Sequence, residues 1–151
     1  MLYAGKRSLC TFVYFSFLFL FGFYPFVGPV WLYPLLMWFQ IAGFFILISP
    51  LQSTALKNLN SSNDSNHLQA FFITCLTSTL AGQIAGSLTF ELLSWPIFLA
   101  DMKAWEIYWR GLTILYPVER TIIALIASFM GAALYKVLKS ANLVQFLNRA
   151  V

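Results

Sequence analysis

The sequence predicts an all-α integral membrane protein, one domain spanning residues 1–151 and folded as a helical bundle. Two properties of composition and one of pattern predict this. Hydrophobic residues make up 60% of the chain and charged residues only 9%, against roughly 25% charged in an average soluble domain. Mean hydropathy is +0.78. The apolar residues fall into runs close to the roughly 20 residues a helix needs to cross a bilayer core of about 30 Å. So few charges cannot cover the apolar surface in water, so lipid is the expected solvent and membrane lipid the first expected partner.

The elements follow in chain order. Residues 9–27, dense in phenylalanine, form the first span. Lys6-Arg7 ahead of SLCTFVYFSFLFLFGF resembles a signal peptide, but the apolar stretch is too long and no small-residue cleavage site follows it, so a retained helix is expected. Gly28-Pro29 breaks the chain, and residues 30–48 form the second span, with Pro34 near its start where proline is tolerated. Ser49-Pro50 ends it. LQSTALKNLNSSNDSNH (51–67) is polar and reads as the linker. Its Asn60-Ser61-Ser62 and Asn63-Asp64-Ser65 fit the glycosylation pattern, although a solvated loop explains them as well. Residues 68–93 form the third span and 118–138 the last.

Between those two spans lies a segment of mixed character. Residues 95–116 hold Asp101, Lys103, Glu106 and Arg110 among Trp95, Trp105, Tyr108, Trp109 and Tyr116. Trp and Tyr favour the membrane–water boundary, so a broken, interfacial or re-entrant helix is expected, with a full crossing as the alternative. Glu106 and Arg110 are spaced to pair on one helix face. The bundle is therefore read as four transmembrane helices plus this segment. Six crossings would result if Pro25, Pro29 and Pro34 cut residues 9–50 into three pieces. Lys6 and Arg7 at one end and Lys136, Lys139 and Arg149 at the other make both tails basic. The expectation is a multi-pass cell-membrane protein with both termini cytoplasmic.

Composition also excludes. The basic residues sit mostly in the tails and form no groove for phosphates, so nucleic acid is not an expected partner. Cys10 and Cys75 lie in apolar runs far from any metal-type spacing, and His67 is the single histidine; no metal and no cofactor is expected. No His-Glu-xx-His, nucleophile elbow or P-loop occurs, and no enzymatic activity is expected.

The third span carries the most informative pattern. Thr79, Gln83, Ser87 and Glu91 recur every fourth residue and form one polar stripe. Ser78, Gly82 and Gly86 run beside it as a small-residue face suited to close helix packing. Ala124, Ala127, Ser128, Gly131 and Ala132 make a second small face, expected to pack against the third span. Pro117 reads as the first turn of the last helix, which would place Glu119 and Arg120 both near the positive end of its dipole, favourable for the carboxylate and unfavourable for the cation. Arg120 then needs an anion: Glu91, Asp101, Glu106 or a bound ligand. Glu91 either faces a polar cavity or reaches outward to the boundary.

YPVERTIIALIASFMGAALYKVLK (116–139) and LAGQIAGSLTFELL (80–93) resemble the last helix and the Gly-rich inner helix of the S components of energy-coupling-factor transporters. These are small membrane proteins that capture vitamins or metal ions. The resemblance implies six helices and a pocket near the outer face, lined by Gln83, Glu91, Trp95, Arg110, Glu119 and Arg120. It implies as partners a transmembrane coupling subunit, cytoplasmic ATPases and a small solute. The expected function is the solute-binding component of an uptake transporter, its pocket open in one state and collapsed in another. The alternative is an accessory or assembly subunit of a larger membrane complex, with the small-residue faces as docking surfaces.

Overall fold

A computed structural model describes residues 6–58 and 64–140. Every regular element among them is helical: α1 (Arg7–Gly22), α2 (Pro29–Leu32), a 3-10 turn (Pro34–Met37), α3 (Trp38–Ile48), α4 (Pro50–Asn58), α5 (Asp64–Ser94) and α6 (Met102–Ser140). The sequon at Asn60 and the tail residue Arg149 lie outside the described residues.

α1 and α3 run in opposite directions. Arg7 donates from Nε to the Leu47 carbonyl at 3.2 Å and from Nη2 to the Leu47 and Ser49 carbonyls at 3.0 and 2.7 Å. These are carbonyls that the end of α3 leaves without helical donors, and the cation favours the negative end of that helix. One end further along, the Tyr14 hydroxyl donates to the Gln40 carbonyl at 2.9 Å. The turn between them depends on glycine: a Cβ on Gly28 would stand 2.6 Å from the Gly22 carbonyl oxygen and 2.7 Å from Tyr24 backbone atoms.

The segment expected as one span over 30–48 is divided. Pro29 and Pro34 each begin a separate short element, and α3 itself is 11 residues long. The stretch expected as a polar linker is partly helical too. Pro50 opens α4, where its missing N–H costs nothing, and Gln52 and Ala55 are buried where α4 packs on α5.

α5 has 31 residues and α6 has 39, lengths of about 46 and 58 Å. Both are long and apolar enough to cross a bilayer. α6 corrects two expectations. Residues 102–116 are not a separate interfacial helix, and Pro117 lies inside α6 instead of in its first turn. The buried stripe explains this, since Trp105, Trp109, Thr113, Ala124 and Ser128 keep helical spacing on both sides of the proline. The true N-cap is Asp101, whose Oδ1 accepts the Lys103 N–H at 3.0 Å.

α5 and α6 are antiparallel, and their register is read from four levels. His67 faces Tyr135 with ring centroids 5.0 Å apart. Phe71 lies 3.1 Å from where a Gly131 Cβ would stand, Cys75 meets Ser128, and the Ser87 and Tyr116 hydroxyls are 3.5 Å apart. The expected small face of α6 therefore does meet α5: Ala124 and Ser128 are buried, and Gly131 and Ala132 half-buried. Buried Leu80, Ile84 and Leu88 join Tyr14, Leu18, Phe21, Leu36, Trp105 and Trp109 in one core.

The face Ser78, Gly82 and Gly86 behaves differently. All three are exposed, and nothing lies within 4 Å of a Cβ built on either glycine. Among the described residues neither glycine packs against a helix, contrary to expectation, and Ser78 lines an open cleft between α1 and α5. Gly28→Ala is therefore expected to lower unfolding stability by about 1–3 kcal/mol through backbone overlap. Gly82→Ala is expected to raise it by up to about 1 kcal/mol through helix propensity. Thermal or denaturant unfolding of the purified chain in detergent checks both signs.

Candidate functional site

The polar stripe read from the sequence lies on the α6 side of α5. Gln83, Ser87 and Glu91 are all buried, Glu91 completely. Steps of four from the Ser87–Tyr116 level place Gln83 level with Arg120, while Phe90 packs on Trp105 and Tyr108 and so puts Glu91 on the aromatic side of that level. Three successive turns of α5 thus carry buried polar groups, and α6 meets the first two of them with Arg120 and Tyr116.

Few of these groups are satisfied. Among the described residues, no hydrogen-bond partner reaches Glu91 Oε1 or Oε2, Gln83 Nε2 or Oε1, or Arg120 Nε, and all five atoms are buried. A buried polar group without a partner costs roughly 1–3 kcal/mol. The Ser87–Tyr116 contact between the two levels, at 3.5 Å, is long for a hydroxyl pair. Pro117 adds another acceptor, because it has no N–H to give to the Thr113 carbonyl one turn back. Thr113 is itself buried, its hydroxyl donating to the Trp109 carbonyl at 2.9 Å.

The six predicted lining residues do not share one recess. Gln83, Glu91 and Arg120 are on the seam. Glu119 is half-exposed beside Arg120, with Oε1 3.6 Å from Arg120 Nη2. That pairing replaces the expected partners of Arg120: Asp101 caps α6, Glu106 binds Arg110 at 2.9 Å, and Glu91 is two turns away. Arg120 also lies deep inside α6, so the dipole argument for its partner does not hold. Arg110 is exposed, pairs with Glu106 as its spacing predicted, and lies over the Tyr33 ring at 5.5 Å. Trp95 is half-buried and stacks on Phe26, with centroids 6.2 Å apart. Both belong to the aromatic end of the bundle and neither to the seam.

Two glutamines escaped the sequence reading. Gly43 lies against Leu80, which puts Gln40 at the Gln83 level on the antiparallel α3. Gln40 is 1% exposed and its Oε1 has no partner. Gln52 on α4 is fully buried with both amide atoms unpartnered. For Gln40 the available signal was a lone amide in an otherwise apolar run; Gln52 lies in a polar stretch and gave none.

A separate cleft of about 550 Å³ opens between α1 and α5, lined by residues such as Tyr14, Phe17, Leu47, Thr77 and Ala81. None of the six predicted residues lines it. Among the described residues no group of three His, Cys, Asp or Glu side chains stands ready for a metal ion.

Comparison with protein-family models, with characterised proteins and with solved structures gave no match. The site rests on its own geometry.

An unpaired buried carboxyl destabilises the fold that contains it, and apolar replacement of buried polar groups is often stabilising. Glu91→Leu is expected to raise stability by about 1–3 kcal/mol. Unfolding midpoints of wild type and variant in the same detergent give the sign; a marked loss would mean that the carboxyl has a structural partner.

Proposed function

We propose that this chain is a multi-pass membrane protein that binds a small polar solute in the α5·α6 seam and serves as the capture component of an uptake transporter. The observation that carries this reading is Glu91, a completely buried carboxyl with no partner. Ionisable groups kept inside a membrane bundle at such cost mark solute or ion paths.

The distribution of polarity supports the membrane setting. Gln40, Gln52, Gln83 and Glu91 are inside, while Phe12, Trp31, Ile107, Ile114, Phe129 and Met130 are outside. Water as solvent would favour the reverse. The two ends of the bundle also differ. Trp31, Trp38, Trp95, Trp105 and Trp109 all lie toward the end where α1 finishes and α6 begins. Lys6, Arg7, Lys57 and Lys136 lie toward the other. By the preference of basic residues for the cytoplasmic side, the aromatic end faces outward. α1, the segment 29–48, α5 and α6 then cross in alternation, and both tails are cytoplasmic.

In this reading the solute enters from the aromatic end and satisfies Glu91 and Gln83. Its binding selects one of two arrangements of the seam, and Pro117 supplies the point at which α6 bends. Energy comes from partners, a membrane coupling subunit and cytoplasmic ATPases, as in the S components that residues 80–93 and 116–139 resemble. A second reading is favoured by one observation: Gly82 and Gly86 face open space, as a helix face kept for another membrane subunit would.

Thermal-shift screening of purified protein against polar solutes tests the first reading. Wild type is expected to be stabilised by a solute class that leaves Glu91→Leu unshifted; equal shifts in both would remove Glu91 from the site. Retained solute binding in Gly82→Leu, with loss of a co-purifying subunit, would give that face to assembly. For topology, a membrane-impermeant maleimide applied to intact cells is expected to label Lys103→Cys and not Lys57→Cys in a cysteine-free background. The opposite pattern would invert the orientation.

A further inference from the structure

The unpartnered atoms of the seam differ in sign between levels. At the Glu91 level they are acceptors, the two carboxyl oxygens. At the Gln83 level the sign is set by Arg120, whose buried Nε has no acceptor. Glu119 meets that guanidinium only at Nη2, at 3.6 Å, too long for a strong charge-assisted bond. The amides of Gln83 and Gln40 can each present either a donor or an acceptor. The two levels are eight residues apart on α5, a rise of about 12 Å. Between them the Ser87 and Tyr116 hydroxyls meet across the seam.

We infer that the seam takes an elongated dipolar solute, with an ammonium group at Glu91 and a carboxylate at Arg120 and Gln83. This rests on the solute-binding reading above and specifies its chemistry. A solute charged at one end satisfies one level and leaves the other buried and unpaired. A molecule carrying both charges at the right separation satisfies both levels and brings no net charge into the bundle. The ammonium end lies nearer the aromatic mouth and the carboxylate end deeper. A carboxylate suits the deeper level because a guanidinium fork and an amide N–H can bind both of its oxygens.

The test uses the full chain in detergent and ω-amino carboxylates of graded chain length, from aminobutyrate to aminoundecanoate, with matched alkylamines and alkanoates. Binding is read from tryptophan fluorescence and thermal shift. The Glu91→Gln/Arg120→Gln double variant supplies the background from micelle partition. Affinity is expected to peak where the two charges are about 12 Å apart and to exceed either one-ended analogue by roughly tenfold or more. Arg120→Gln should erase the advantage over the alkylamine, and Glu91→Gln the advantage over the alkanoate, with helix content unchanged in both. A flat chain-length profile, or one that Arg120→Gln leaves intact, overturns the dipolar inference. Alkylamine binding that still depended on Glu91 would then preserve the solute-binding reading. Folded wild type that matches the double variant for every probe overturns the inference, and the screen of polar solutes decides the broader reading separately.

Discussion

The structure is organised around a cost that it does not relieve internally. α5 buries Gln83 and Glu91 without hydrogen-bond partners, and α6 meets them with an Arg120 whose Nε is equally unsatisfied. Each such group works against folding by an amount comparable to a sizeable core mutation. Apolar packing elsewhere has to offset it. Trp109 shows how: it is fully buried, its indole N–H donates to the Val27 carbonyl at 2.9 Å, and its ring stands edge-on to Phe21 at 5.7 Å. One side chain ties α6 to the turn after α1. With Arg7 holding the end of α3, the frame is fastened at both ends while the seam is left unsatisfied between them.

α5 is the element through which every part communicates. It packs against α1, α3, α4 and α6, and its three faces have different characters. Toward α6 it is polar. Toward α1 and α3 it presents Leu76, Leu80, Ile84 and Leu88 to the core. Its outer face carries Gly82 and Gly86, which meet nothing within 4 Å among the described residues. A helix with no single apolar stripe does not fit the amphipathic pattern of a water-soluble domain. The arrangement is consistent when the surroundings are apolar and the polar groups have each other's company inside.

How much of this the sequence disclosed depends on the kind of signal. The stripe Gln83, Ser87, Glu91 was legible because a period of four fixes a face regardless of tertiary context. So was the Glu106–Arg110 pair. The small face of α6 was legible for the same reason, yet the equivalent face of α5 was not, since a Gly-xxx-Gly pattern says that a helix can approach and not that one does. Pro117 misled because proline at the start of a helix and proline within one share the same local sequence. What decides between them is whether the buried stripe continues, and Trp105, Trp109 and Thr113 continue it. The helix at 50–58 was hidden by polar composition, which outweighed the good helix formers Gln52, Ala55 and Lys57. The pairing of Arg120 with Glu119 was beyond reach, because it depends on where α6 begins.

The seam is not uniform along its length. On the basic side of Pro117 the two helices are close: Phe71 fills the space a Gly131 side chain would need, and Ala124 and Ser128 are buried in the contact. Small residues permit that approach and dispersion holds it. On the aromatic side the direct α5·α6 links are ring contacts, Phe90 to Trp105 and Tyr108 at 5.5 and 5.3 Å, and the 3.5 Å hydroxyl contact. Proline sits at the change from one regime to the other, where the missing hydrogen bond lowers the cost of bending. Neither half is uniformly open or closed, however: Trp109 ties the aromatic half to the Val27 carbonyl, and a cleft of about 270 Å³ lined by Leu68, Phe72, Leu125 and Ser128 lies between the helices in the basic half.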